Sequence, residues 1–200
     1  MRGIRDWIIV KLGDISQIIN GSTPNTNIDE FWNGDIIWVT PKDLGRLNNK
    51  EIHTSERKIT AKGYNSANLT IIPPNCIVLS TRAPIGYIAI TKNELCFNQG
   101  CKGIVPNENV FTDFLYYYLF FIRESLEILG SGSIFKELSL TNLQKVDVLL
   151  PPLVEQKRIV KIIETKLATV EKAKKLIDEQ SAYINALPSS ILRKAFKGEL

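Results

Sequence analysis

The feature that most constrains this chain is a segment near its carboxyl end, residues 153–187, that contains no glycine or proline. Apolar residues recur in it at steps that alternate between three and four, which is the heptad pattern of a coiled coil. A helix of this length extends about 50 Å at 1.5 Å per residue, farther than a compact domain of about 150 residues can cover. We therefore expect its apolar seam to pair with another helix. The seam consists of Val160, Ile163, Leu167, Val170, Ile177 and Ile184.

The predicted ends of this helix follow from proline and capping chemistry. Pro152 and Glu155 suit a helix start, and Pro188 is expected to end the helix. Ser189 is then expected to cap a short terminal helix that runs to Phe196 and is closed by Gly198. A long amphipathic helix that lies back across its own domain remains the alternative to a coiled coil.

The sequence predicts two domains, residues 1–150 and residues 151–200. An apolar stretch ends at Leu150, and two prolines separate it from the long helix. Residues 1–150 contain 15 basic and 15 acidic side chains, so the whole net charge of +4 lies in the last quarter of the chain. Charge alone therefore does not mark the large domain as a nucleic-acid binder, and any such surface must be local.

The first 150 residues are predicted to form an α+β domain, with mixed α and β elements. Asp14 is expected to cap a short helix through Ile18 and Ile19. A longer helix is predicted from Phe111 to Leu129, where seven aromatic side chains favour a core position over base stacking. Strands are predicted between turn residues at 36–40, 68–72, 76–80, 86–91, 102–105 and 145–150.

Several classes of protein are excluded or disfavoured. The longest apolar run, Phe114–Ile122, is nine residues, whereas a membrane-spanning helix needs about 20. The start of the chain lacks the apolar region of a signal peptide, and three cysteines are too few for a disulfide scaffold, so we expect a cytoplasmic protein. No phosphate-binding loop, nucleophile elbow or zinc-protease motif occurs, and His53 is the single histidine. The sequence thus favours a binding module without catalysis, cofactor or metal.

Ordered sequence blocks carry a family resemblance. The chain resembles one half of the specificity subunit of type I restriction–modification systems, that is, one target recognition domain followed by one conserved helical region. The resemblance spans nearly the whole chain and rests on the order and spacing of its blocks. These blocks are Trp7, Val10–Asp14, Gly21–Pro24, Ile37–Leu44, Leu79–Gly86, Asn98–Gly103, Gly130–Ser133, Leu150–Val160 and Leu192–Leu200.

The resemblance implies a reader of double-stranded DNA. In this family two recognition domains are held apart by paired long helices, methyltransferase subunits dock on them, and a restriction subunit joins for cleavage. The family's usual subunit carries two recognition domains, whereas this chain carries one. The resemblance therefore predicts a homodimer through residues 153–187, with antiparallel helices, that recognises a bipartite and palindromic site.

Candidate DNA contacts lie in turns that combine short polar side chains with Arg or Lys, the residue types that reach base edges and phosphates. Residues 42–62 alone carry six basic and three acidic side chains. An ordinary solvated turn is the alternative for each position, and Gly21–Pro24 is better explained as a structural turn. The candidates are Thr40, Lys42, Arg46, Asn49, Lys50, Ser80, Thr81, Arg82, Asn98, Gln99, Lys102, Ser131 and Ser133.

Three other functions stay open. The chain could be a truncated subunit or a specificity cassette that is silent alone. A coiled-coil adaptor that does not bind DNA would explain the seam but not the ordered blocks of residues 7–150. An independent nuclease or methyltransferase is disfavoured by the missing motifs.

Overall fold

The computed structural model describes residues 6–82, 84–131 and 136–199. Contacts divide the chain into two compact units, residues 1–157 and residues 158–200. The strands are β1 (Ile8–Lys11), β2 (Ser16–Asn20), β3 (Trp32–Val39), β4 (Glu51–Ile52), β5 (Lys58–Ile59), β6 (Ile77–Thr81), β7 (Ile85–Thr91), β8 (Cys96–Phe97), β9 (Cys101–Pro106) and β10 (Asp147–Leu150). The helices are α1 (Leu12–Ile15), α2 (Pro41–Gly45), α3 (Ala61–Ser66), α4 (Thr112–Phe121), α5 (Arg123–Leu129), α6 (Leu140–Gln144) and α7 (Leu153–Lys197).

The largest sheet in the described residues has the strand order β2-β9-β6-β7-β4. Its β2–β9, β9–β6 and β6–β7 pairs are antiparallel, whereas β4 joins β7 in parallel. Every residue of β6 is buried, as expected for a central strand that is covered on both faces. Helices α4 and α5 pack against β7.

A second sheet has the order β5-β3-β8, and β1 pairs with β10 in a third. Two hydrophobic clusters follow from this arrangement. One joins Val39, Ile52 and Phe97 between the sheets, and the other surrounds Trp32 and Trp38, whose rings meet edge to face at 5.1 Å. Burial of these clusters fixes the ends of β3 and β8, from which the candidate site extends.

The predicted fold class, a mixed α and β domain followed by a long carboxyl-terminal helix, is confirmed. The predicted strands at 36–40, 76–80, 86–91, 102–105 and 145–150 are also confirmed, with shifts of one or two residues at their ends except that β3 begins four residues earlier, at Trp32. Within residues 68–72, by contrast, only an isolated bridge between Ile72 and Leu95 forms.

Two predicted helices are corrected by the structure. The helix expected through Ile18 and Ile19 is wrong, because these residues lie in β2 and pair with Ile104 and Gly103 of β9. The aromatic helix is two helices that meet at Ile122. Its aromatic side chains are core only in part, since Phe114 and Tyr116 are buried but Phe120 and Phe121 are exposed.

The predicted end of the long helix at Pro188 is wrong, and no separate terminal helix forms in the described residues. Helix α7 continues through Pro188 to Lys197, and Gly198 follows it with a positive φ of 73°. A proline removes one N–H donor, so Ile184 loses the usual partner of its carbonyl oxygen. Good helix formers after Pro188, such as Leu192, Arg193 and Ala195, carry the helix past this defect.

Candidate nucleic-acid interface

Four turns that are distant in sequence meet at one end of the two larger sheets. The N–H of Ser22 donates to the carbonyl of Phe97 at 3.0 Å, and that of Asn98 to the carbonyl of Val39 at 2.9 Å. The N–H of Thr81 donates to the carbonyl of Gly100 at 2.7 Å. We call this region the converging-loop surface and define it as residues 20–24, 40–46, 80–82 and 98–102.

A glycine permits this convergence. A Cβ atom at Gly21 would lie 2.0 Å from the carbonyl oxygen of Asn98, so no larger residue fits where these two turns cross. Beside the crossing, Thr23 hydrogen-bonds the side chain of Gln99. The Gly21–Pro24 segment thus passes close to the backbone of Asn98, and it also brings a polar pair to the surface.

Helix α2 presents two cations at this surface. Thr40 caps the helix through reciprocal hydrogen bonds with Asp43, and this capping box fixes where the helix starts. Lys42 and Arg46 are exposed on the helix, and both pair with Glu56 from a separate segment; the Lys42 pair is 3.0 Å long. The two candidate cations therefore lie side by side.

The shared carboxylate does not prevent these cations from binding an anion. The hydrogen bond from Lys42 and the charges of Lys42 and Arg46 lower the pKa of Glu56. All three side chains are about half exposed or more, and ion pairs of this kind stabilise a protein little because water and salt screen them. A DNA phosphate can therefore replace Glu56 as the partner at little cost.

A third cation lies at the end of β6. Arg82 pairs with Glu137 at 2.6 Å, and its side chain is 46% exposed. The backbone of Glu137 also pairs with that of Ser131, so Glu137 lies between Arg82 and this candidate. Ser133 lies outside the described residues.

Three candidates lie inside the protein. The hydroxyl of Ser80 donates to the carbonyl of Pro84 and accepts from the N–H of Tyr87, and the hydroxyl of Thr81 faces the carbonyl of Gly100. The ammonium of Lys102 donates to Asn20 at 2.9 Å, and burial lowers its pKa. Their polar groups are satisfied within the fold, so their geometry suits holding the loops in place.

The remaining candidates differ in their surroundings. Asn98 is partly buried, and its side chain accepts from the N–H of Gly100 at 3.0 Å. Asn49 is exposed and accepts from the N–H of Glu51. Lys50 is turned toward α4, where it pairs with Asp113 and lies over the ring of Tyr117. Lys50 therefore packs against α4, whereas the cations of α2 are exposed.

One exposed cation was missed from the sequence. The guanidinium of Arg57 lies over the ring of Trp32, 3.6 Å from its centroid, and 5.5 Å from that of Trp38. A signal was available, because the two tryptophans are six residues apart and therefore on one face of a strand, and Arg57 lies in the basic stretch 42–62. Arg57 is not among the candidates, because these come from predicted turns.

Other chemistries find no support in the part of the chain that the structure describes. No group of three or more His, Cys, Asp or Glu residues there is arranged to hold a metal ion. None of the described helices is both long and apolar enough to cross a membrane.

The sequence of this chain matches a known protein family. Residues 4–179 match the family model of the type I restriction modification DNA specificity domain. The chain therefore belongs to this family, and it carries one target recognition domain of a specificity subunit.

Its relatives are specificity subunits of type I restriction enzymes. It is 41% identical to the MjaIX subunit of Methanocaldococcus jannaschii over 174 residues, which cover 86% of this chain and 40% of that protein. It is 30% identical to the EcoR124I/EcoR124II subunit of Escherichia coli over 162 residues, which cover 76% and 39%. The chain thus spans about two fifths of the length of these relatives.

Solved structures agree with the observed fold. The HsdS subunit from Thermoanaerobacter tengcongensis superimposes with a TM-score of 0.72 at 28% identity, covering 98% of this chain and 46% of that one. A chain from a structure on complex assembly and conformational transition of the type I R-M system gives a TM-score of 0.76 at 28% identity, with 98% and 47% covered.

Proposed function

We propose that residues 1–150 read one half of a bipartite DNA site through the converging-loop surface. The observation that carries this proposal is that exposed Lys42, Arg46, Arg82 and Gln99 extend from three separate segments held together by backbone hydrogen bonds. Cations on rigid elements position a duplex by its phosphates, and amide or guanidinium groups beside them can reach base edges. Thr40 and Asn98 border these groups, whereas Ser80, Thr81 and Lys102 support the loops.

We also propose that a second copy of this chain covers the seam of the long helix. Its first positions are partly covered, since Val160 is buried and Ile163 is half-buried. The four later positions, Leu167, Val170, Ile177 and Ile184, are 48–65% exposed. Large apolar side chains aligned along one face stabilise a helix pair when a partner removes them from water.

The apolar face is wider than a two-helix seam needs. Exposed Leu176 and Tyr183 each lie about 100° from the neighbouring seam residues at 100° per residue, and exposed Leu187 lies between them and the seam. A strict two-stranded coiled coil buries a narrower stripe. The additional apolar surface is therefore available to further partners on residues 151–200. We expect these partners to be methyltransferase subunits, and with them a restriction subunit.

The two-fold symmetry of the proposed homodimer determines the symmetry of the DNA site. Two identical chains related by a two-fold axis present the same reading surface twice. The recognised sequence is accordingly palindromic and interrupted, with the long helices setting its spacing. In this assembly the chain recognises DNA, and catalysis belongs to the methyltransferase and restriction subunits.

Methylome sequencing tests this function. The chain is expressed with its cognate methyltransferase subunit in a host that lacks type I systems, and methylated motifs are identified. A host that carries the methyltransferase alone serves as the control. We expect a new interrupted palindrome that depends on this chain.

The other outcomes discriminate the alternatives. An asymmetric interrupted motif would mean that a different half completes the reader, and would contradict the homodimer. Absence of any new motif, with both proteins folded and bound to each other, would contradict the DNA-reading proposal and favour a silent cassette. The absence of both a motif and methyltransferase binding would favour an adaptor.

A further inference from the structure

Arg57 differs from the other exposed cations near the converging-loop surface. Its guanidinium is stacked on Trp32 at 3.6 Å from the ring centroid, and the side chain is exposed. Among the described residues no carboxylate lies within ion-pair distance of it, whereas Lys42 and Arg46 share Glu56. Arg57 therefore keeps its in-plane N–H groups available.

The platform beneath this guanidinium is rigid. The indole N–H of Trp32 donates to the carbonyl of Asn25 at 3.2 Å, and that of Trp38 to the carbonyl of Ser22 at 3.0 Å. The rings contact each other edge to face, and Trp32 is 7% exposed. Stacking on fixed rings limits the directions in which Arg57 can donate, which lowers the ordering cost of a specific contact.

The segment that carries Arg57 is joined to the converging-loop surface at two points. The hydroxyl of Ser55 accepts from the N–H of Trp38 and donates to the carbonyl of Arg57. The N–H of Glu56 donates to Asp43 of α2 at 2.8 Å. Arg57 thus belongs to the same end of the fold as Lys42 and Arg46.

We propose that Arg57 is a specificity-determining residue that donates two hydrogen bonds to the major-groove edge of a guanine. A planar guanidinium matches the O6 and N7 acceptors of guanine in a bidentate contact. Fixed orientation suits base reading, while the exposed pair on α2 supplies charges that suit phosphates. This inference rests on the proposed function and adds one residue and one base type to it.

The test combines protein variants with DNA variants. The full chain in complex with its methyltransferase is bound to duplexes that carry the methylome motif, with each G·C pair replaced in turn. Arg57→Met removes the donors but keeps an apolar cover on Trp32. Arg57→Lys keeps the charge but loses the fork. Lys58→Met removes the same charge one residue further along, at an exposed position outside the described aromatic contacts.

We expect wild type and Lys58→Met to bind about 10- to 100-fold more weakly when one particular G·C pair of each half-site is replaced. Arg57→Met and Arg57→Lys should lose this discrimination at that pair alone and keep it elsewhere. Thermal unfolding of each variant confirms that the fold is intact, and Arg57→Lys serves as the reading variant if Arg57→Met is unstable.

Each contrary result has a distinct meaning. If both Arg57 variants keep the full pattern of discrimination, Arg57 only covers Trp32 and the inference is overturned. If affinity falls equally for all duplexes and the salt slope drops by about one, Arg57 contacts a phosphate and the inference is also overturned. If wild type itself does not discriminate among duplexes, the proposed function fails and the inference fails with it.

Discussion

The backbone N–H of Phe111 donates a hydrogen bond to Oε1 of Gln156 at 2.7 Å, and Gln156 is completely buried. The amide nitrogen of the same side chain donates to the carbonyls of Asn109 and Pro151 at 3.0 and 2.9 Å. One side chain therefore fastens the first turn of α7 to the loop that precedes α4. Buried polar groups of this kind are costly when a partner is lost.

Replacing Gln156 should destabilise residues 1–157. Gln156→Met leaves the N–H of Phe111 and two carbonyls without partners, and we expect a loss of about 1–3 kcal/mol in the free energy of unfolding. Gln156→Glu should be worse at neutral pH, because a carboxylate would face two carbonyl oxygens. Urea unfolding at pH 7 and pH 5 checks both, and Gln156→Glu should recover part of the loss at pH 5 as the carboxyl protonates. Equal stability of wild type and Gln156→Met would contradict this role.

Charge on the exposed seam should prevent dimerisation. Val170 and Ile177 are 59% and 65% exposed, and two Val170→Glu and Ile177→Glu changes would place four carboxylates in the proposed interface of a dimer. We expect a dimer of the wild type and a monomer of this double variant in sedimentation equilibrium at micromolar concentration, because buried heptad positions do not tolerate unpaired charge.

The matched control for the seam uses the opposite side of the same helix. Ala168 lies about 160° from Val170, and Ala182 lies about 160° from Ile184, at 100° per residue, so Ala168→Glu with Ala182→Glu adds the same charge away from these seam positions. This control should remain a dimer with unchanged helical content. If both double variants are monomeric, the seam is not the specific interface. If wild type is monomeric with its methyltransferase present, the homodimer is wrong.

Arg82 and Glu137 form an ion pair 2.6 Å long, and replacing either partner should change DNA binding in opposite directions. Arg82→Ala should weaken specific DNA binding by about 1–3 kcal/mol if Arg82 reads a base edge, and should weaken binding evenly across sequences if it contacts a phosphate. Glu137→Gln removes the competing carboxylate and should strengthen DNA binding, with a steeper dependence on salt. Binding titrations at two salt concentrations measure both. Unchanged binding in both variants would remove Arg82 from the interface.

Lys102 should make stability depend on alkaline pH. Burial lowers the pKa of Lys102 in the folded protein, so the folded state releases this proton at a lower pH than the unfolded state does. The free energy of unfolding of wild type relative to Lys102→Met should therefore rise as pH increases toward 10.5. Urea unfolding at pH 8, 9 and 10 measures this difference.

Lys62 gives the contrasting case, because its hydrogen bond to Glu30 raises its pKa. Its contribution should persist through this range and be lost only above pH 10.5. The free energy of unfolding relative to Lys62→Met should therefore not rise between pH 8 and pH 10. If the difference in the free energy of unfolding changes with pH in the same way for Lys102→Met and for Lys62→Met, burial of Lys102 is not the cause of the pH dependence.

Sequence patterns gave wrong predictions where distant segments of the chain pair with each other. Ile18 and Ile19 fit a helix by local spacing, but β9 lies more than 80 residues away and offers them ladder hydrogen bonds, so they form β2. Ser80 and Lys102 are typical of polar turns by composition, yet β6 and β9 lie in the middle of a sheet and bury both. A pattern read along the chain does not include partners brought by topology.

The sequence by itself determined the start of the long helix, the spacing of its apolar seam, five of the ten described strands and the family blocks, because these depend on spacing between near neighbours and on residue type. Only the tertiary structure decided which polar residues reach solvent together. Convergence of the turns at Gly21 and Gly100, the ion pairs of Lys42 and Arg46 with Glu56, and the stacking of Arg57 on Trp32 all join segments separated along the chain. Such contacts form when burial of Trp32, Val39 and Phe97 brings the sheets together, and no local propensity encodes them.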